Sequence, residues 1–129
     1  MTVDAFIPAM GIMVDQDSGA IQIIDPRMAF AVPKGEEFIF IFYFWLTFEP
    51  QECSTEHSMK IEIEDPDAKI IRTTKVMTFT PKPKQFDAWG YLNGPFRTRA
   101  KIDSTGVYAA CLIVDDVEVR RHRISITAE

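Results

Sequence analysis

Cys53, Glu56 and His57 fall within one short polar stretch, and any chemistry in this 129-residue chain would start there. A thiolate nucleophile needs a base to take its proton and a third group to orient that base. A zinc site needs about four ligands. Three side chains are local here, and a fourth, His122, joins only if the fold returns it to the same place. None of the spacings that mark such sites is present: no Cys-x-x-Cys, no His-x-x-x-His and no Gly-x-Ser-x-Gly. The trio reads as loop polarity. The sequence assigns no catalytic residue, no metal and no cofactor.

Acidic turns are a second source of candidate ligands. Asp15-Gln16-Asp17-Ser18-Gly19 opens like a calcium loop, but Pro26 stands where an EF-hand needs its bidentate Glu. Asp65, Asp67, Asp103, Asp115 and Asp116 also sit in turn sequences and would bind calcium only if gathered at one end of the molecule. The plainer reading is that Asp occupies turns because its carboxylate caps nearby backbone N–H groups.

Basic residues cluster twice. Arg97, Arg99 and Lys101 alternate along one stretch, and Arg120, Arg121 and Arg123 lie near the end of the chain. If the two stretches were neighbouring strands they would form a positive stripe for an anionic ligand or nucleic acid. Lys82 and Lys84 would extend it, and Trp89 and Tyr91 would stack on bases. Against this, the net charge is −5, so no global field draws the chain onto nucleic acid or an anionic membrane. Residues 1–65 carry 12 acidic and 3 basic side chains, residues 66–129 carry 7 and 11. Interleaving the halves would turn that asymmetry into cross-strand ion pairs.

The most unusual stretch is residues 37–48. Phe38, Phe40, Phe42, Phe44, Leu46 and Phe48 share one parity; Ile39, Ile41, Tyr43, Trp45 and Thr47 share the other. A strand apolar on both faces must be covered on both, from within the chain or by a second copy. Tyr43, Trp45 and Ile41 are therefore the candidate protein interface, because large aromatics dominate such contacts. The run is about half the length needed to span a bilayer.

The elements that would position these groups are short strands. Turn signals recur every eight to twelve residues, and the eight prolines mostly bracket apolar runs. Strands are predicted over residues 3–14, 20–24, 28–32, 37–48, 57–64, 69–73, 76–80, 86–92, 96–102, 107–114 and 117–127. Asn93-Gly94-Pro95 and Asp115-Asp116 are the expected turns. Because apolar parity switches between Val119 and Ile124, a β-bulge is expected within residues 120–123. One domain over residues 1–129, all-β and sandwich-like, follows. Two cysteines make no disulfide framework, and the first residues lack the basic start of a secretion signal, so a reducing cytoplasm is expected.

Glu56-His57 through Ile63, Asp65-Pro66-Asp67, a Pro-bracketed connection, Gly106-Val107-Tyr108 and Val114-Asp115-Asp116 together resemble an uncharacterised bacterial β-sandwich family, a domain of unknown function. The resemblance implies a cytoplasmic sandwich and supplies no reaction. Asp103, Gly106, Tyr108 and Cys111 are also similar to the late Asp-x-Gly-x-Tyr-x-Cys run of immunoglobulin domains, stretched by one residue on each side. An immunoglobulin-like antiparallel β-sandwich without the intersheet disulfide is implied. The leading functional expectation is a non-enzymatic module that self-associates or docks on a protein. The alternative is an anion or nucleic-acid binder using the arginines.

Overall fold

In strands, side chains alternate between two faces, so the sequence parity above should decide which residues meet in a core. The computed structural model describes residues 1–83 and 89–129, and of Lys82 the backbone alone. Eleven strands are found among them: β1 (Thr2–Val14), β2 (Ile21–Pro26), β3 (Ala29–Val32), β4 (Glu37–Phe48), β5 (His57–Glu64), β6 (Ile70–Thr73), β7 (Met77–Phe79), β8 (Lys82–Pro83), β9 (Gly90–Lys101), β10 (Gly106–Val114) and β11 (Val117–Ala128). A single 3-10 turn, Pro50–Glu52, lies between β4 and β5.

The strands form two sheets. The first has the order β2-β1-β4-β9-β8; the second has β3-β11-β10-β5-β6, with β7 also pairing with β5. The order β1-β4-β9-β8 and the order β5-β10-β11 match the A-B-E-D and C-F-G sheets of an immunoglobulin sandwich. Tyr108 adds a local signature: at the start of β10 its hydroxyl donates to the Ser104 carbonyl oxygen at 2.7 Å, the tyrosine corner of such domains. The expected immunoglobulin-like sandwich is what the chain forms. One pair departs from the antiparallel rule, since β3 runs parallel to β11. The two are separated by most of the chain, so no hairpin constrains their direction.

The Phe parity of β4 builds the core. Phe42, Leu46 and Phe48 are fully buried, and so are Ile61, Ile63, Ala110, Leu112 and Ile124 from the facing sheet. Phe6 stacks on Phe42 with ring centroids 4.9 Å apart, so β1 contributes to the same layer. The other parity of β4 is only partly covered from within the chain. Tyr43 is buried, Ile41, Trp45 and Thr47 are half-buried, and Ile39 remains 44% exposed.

Two further expectations change. Asn93-Gly94-Pro95 is no turn, because β9 runs unbroken through it, paired with β4 from Glu37↔Lys101 to Phe48↔Gly90. At the far end, Ile102 donates its N–H to the Glu36 carbonyl and accepts from the Gly35 N–H. Alternation then aims even-numbered backbone groups at β4 and odd-numbered ones away from it. Pro95 is odd-numbered, so its missing N–H breaks no bond to β4. The bulge lies at residues 118–120, just before the expected place, where Ile113 pairs with Glu118 but Leu112 with Arg120. By contrast, Asp115-Asp116 forms the predicted two-residue turn, with φ of 50° and 64°, as a type I′ turn requires. Residues 86–88 of the predicted strand over 86–92, and Lys84 before it, lie outside the described residues.

Candidate functional site

His57 is 9% exposed at the start of β5, and its ring decides whether the loop trio does chemistry. Nδ1 is 2.6 Å from an Asp115 carboxylate oxygen and Nε2 is 2.6 Å from the Glu52 carbonyl oxygen. Both partners are acceptors and favour the imidazolium, in which both ring nitrogens donate; the Thr55 hydroxyl, 3.3 Å from Nε2, is a donor to the neutral ring. Burial pushes its pKa down, but the bonds to Asp115 and to the Glu52 carbonyl outweigh that and hold it above the usual histidine value. Asp115 also accepts from the Ser58 N–H at 2.9 Å. Burial raises its carboxyl, and the His57 and Ser58 bonds more than reverse that. The pair fastens the loop before β5 to the β10–β11 hairpin. Cys53 instead directs its thiol at the Glu49 carbonyl, 3.4 Å away. His122 lies along β11 opposite Ala110, with its ring 6.4 Å from that of Phe6. The ring nitrogens of His57 face Asp115 and the Glu52 carbonyl while the Cys53 thiol faces the Glu49 carbonyl, so the trio does not assemble as a nucleophile–base set.

The acidic turns cap themselves. Asp15 accepts from the Asp17 N–H, and Asp65 accepts from the N–H groups of Asp67 and Lys69. Asp65 follows β5 while Asp115 sits beside its first residue, so these groups lie at opposite ends of one strand. They do not gather.

The two basic clusters separate as well. Arg97, Arg99 and Lys101 belong to β9 in the first sheet; Arg120, Arg121 and Arg123 belong to β11 in the second. No shared stripe forms. On the outer face of the second sheet the acidic and basic halves of the sequence do meet. Arg121 grips Glu64 with two bonds of 3.0 and 3.1 Å and Glu118 with one of 2.8 Å, and Lys60 lies 3.4 Å from Glu62. Glu64, Glu118 and Cys111 are close enough together to hold a cation, and the Arg121 guanidinium already supplies one. Burial, then hydrogen bonding to Glu118 and Glu64, raises the Cys111 thiol far above its usual pKa, so it stays protonated. Arg120 reaches across to the Val3 carbonyl of β1 at 3.0 Å.

The outer face of the first sheet is built differently. Its cross-strand rows read Gly11–Ile24 on β1 and β2, Ala9–Ile41–Arg97, Ile7–Tyr43–Pro95, and Ala5–Trp45–Asn93. Next to these lie Ile39–Arg99 and Glu37–Lys101 on β4 and β9. Tyr43 is buried within this face, and its hydroxyl accepts from the Asn93 amide at 3.1 Å. Farther along the face, Ile24 is 38% exposed and Ile39 44%. A hollow of about 520 Å³ runs between the β1–β2 hairpin and β4, lined by Ile24, Ile39, Ile41 and Arg97 among others. A second of about 430 Å³ is lined by Glu37, Ile39, Arg97, Thr98, Arg99 and Arg72. Among the described residues, neither Arg97 nor Arg99 makes a hydrogen bond or ion pair. Lys101 lies 3.8 Å from Asp103 in an exposed pair. Arg72 is the residue that sequence reading missed. From β6 its Nε donates to Thr98 Oγ1 at 3.1 Å across the rim of the sandwich, and nothing in the local sequence signals that crossing.

No helix among the described residues is long and apolar enough to cross a membrane. No protein-family model matches the chain, and no curated protein matches it in sequence. Among solved structures it is similar to the CARDB domain of the PF1109 protein from Pyrococcus furiosus, determined in complex with di-metal ions. The identity is 12%, the TM-score 0.41, and the match covers 77% of this chain and 86% of that one. The family resemblance read from the sequence therefore holds at the level of a β-sandwich and reaches no named family.

Proposed function

We propose that this domain is a non-enzymatic interaction module that docks on an acidic segment of a partner protein through the outer face of its first sheet. One contrast carries the reading. On the outer face of the second sheet Arg121 is held by Glu64 and Glu118 and Lys60 by Glu62. The first sheet instead leaves Ile24 and Ile39 in water beside an adjacent pair of arginines, Arg97 and Arg99, that make no ion pair among the described residues. Exposed apolar surface bordered by polar groups is the usual character of a protein contact site. Ile41 and Trp45 are half-buried anchors within it, with buried Tyr43 between them along β4. Charge complementarity favours an acidic partner over a second copy, because Glu37 is the one acid in the rows that carry the three basic residues of β9.

Panning random peptides displayed on phage against the full chain tests this reading. Enriched peptides should lose binding to Ile39→Glu and Arg99→Glu and keep it with Arg123→Glu on the other sheet, with circular dichroism unchanged throughout. Peptides that bind all three variants alike would remove the face from consideration. A dimer seen by light scattering and abolished by Ile39→Glu would assign it to a second copy.

A further inference from the structure

We infer that the partner segment binds as an added β-strand along the open edge of β9, with Asp or Glu at alternate positions facing Arg97, Arg99 and Lys101. This rests on the docking-face reading above and goes further, because it specifies the conformation and charge pattern of the segment.

The first observation is an unpaired edge. On its far side from β4, β9 pairs with β8 only at Gly90 and Tyr91, so from Leu92 to Lys101 no described strand pairs with it, and β6 of the other sheet approaches it without pairing. The second is the direction of the backbone groups. Ile102 spends its N–H and C=O on Glu36 and Gly35 at the β4 side, and the β4–β9 register is unbroken. The N–H and C=O groups of Arg97, Arg99 and Lys101 therefore project from the edge, ready for an extended chain. The third is charge. A residue paired with Arg97 or Arg99 on an added strand puts its side chain on the same face, about 5 Å away, where a carboxylate would meet a guanidinium. The Arg72 side chain, bonded to Thr98 at the same rim, brings a third guanidinium to the edge. Intervening residues of the segment would point the other way, toward half-buried Phe96 and the buried Thr98 and Ala100.

The same features oppose a second copy at this edge. Antiparallel pairing of β9 with itself would set arginine and lysine opposite one another, and Pro95 offers no outward N–H. The edge is thus guarded against its own kind and left open to an acidic strand.

The test uses the full chain and the peptides enriched by panning. Hydrogen exchange of the complex should show new protection at the amides of Arg97, Arg99 and Lys101. Arg97→Glu/Arg99→Glu should weaken binding by about tenfold or more, with the loss shrinking as salt is raised. Methylating alternate backbone nitrogens of the peptide should abolish binding while its side chains are kept. Enriched peptides without alternating acids, or bound peptides that leave the β9 amides unprotected, would overturn strand addition; if these still failed to bind Ile39→Glu, the docking face would stand. Peptides indifferent to Ile39→Glu and to the arginine substitutions alike would overturn both.

Discussion

A histidine with an acceptor at each ring nitrogen has no neutral tautomer that satisfies both, and this gives His57 a measurable role. Its folded pKa lies above the unfolded value near 6.5, so its contribution is full below that pH and is lost as pH rises through the folded pKa. Asp115 has the opposite sign: its contribution is present above its unfolded value and lost as pH falls through the depressed folded one. The pair stabilises the fold most between about pH 4 and 6.5. Urea unfolding should give a higher midpoint at about pH 5.5 than at about pH 8.5, and Asp115→Asn should flatten that difference. Asn tolerates the positive φ of the turn, so the substitution removes charge without breaking the hairpin. An unchanged pH dependence in the variant would remove the pair from this role. None of it was legible from Cys53, Glu56 and His57 alone, because the decisive partner lies 58 residues away across a hairpin.

At the level of elements, β4 states its two environments in its own alternation. Phe42 is fully buried and stacked on Phe6, so Phe42→Ala should cost about 3–5 kcal/mol through lost burial and a cavity. Ile39, three residues earlier on the same strand, on the opposite face and 44% exposed, should tolerate Ala within about 0.5 kcal/mol. Chemical denaturation of both variants checks the contrast; equal losses would mean that the outer face is as dry as the inner one. This strand, β5 and the Asp115-Asp116 hairpin were readable because local pattern and local turn chemistry agree with the tertiary result. The Asn93-Gly94-Pro95 segment was not. Its residues favour a turn, yet twelve continuous pairs with β4 hold it extended, and only the position of the sheet edge makes Pro95 acceptable there. Likewise Cys111 follows Tyr108 by three residues rather than two, so Ala110 takes the inward place of an immunoglobulin cysteine and Cys111 faces the other side. The sequence parity already encodes this, and it excludes a bridge across the core.

Across the whole molecule, the two sheets divide the labour that the charge asymmetry of the sequence left undivided. Interleaving acidic β5 with basic β11 across β10 pairs Arg121 with Glu64 and Glu118, whereas Arg97 and Arg99 stand side by side on β9 without ion pairs among the described residues. Which cluster would be neutralised depended on strand order, and no local pattern encodes strand order. The arrangement has a signature in native-state hydrogen exchange. Amides of β10, flanked by β5 and β11, should open only with global unfolding, whereas those of the edge strands β2 and β7 should exchange through local opening. Along β9 the pattern should alternate: Thr98, Ala100 and Ile102, aimed at β4, slow; Arg97, Arg99 and Lys101, aimed outward, fast. Uniform protection across residues 97–102 would mean that the edge is already covered and has no room for an incoming strand. Alternation would mean that a rigid ladder on one side holds a row of free donors and acceptors on the other, so a binding segment would be ordered against a template that needs no rearrangement of its own.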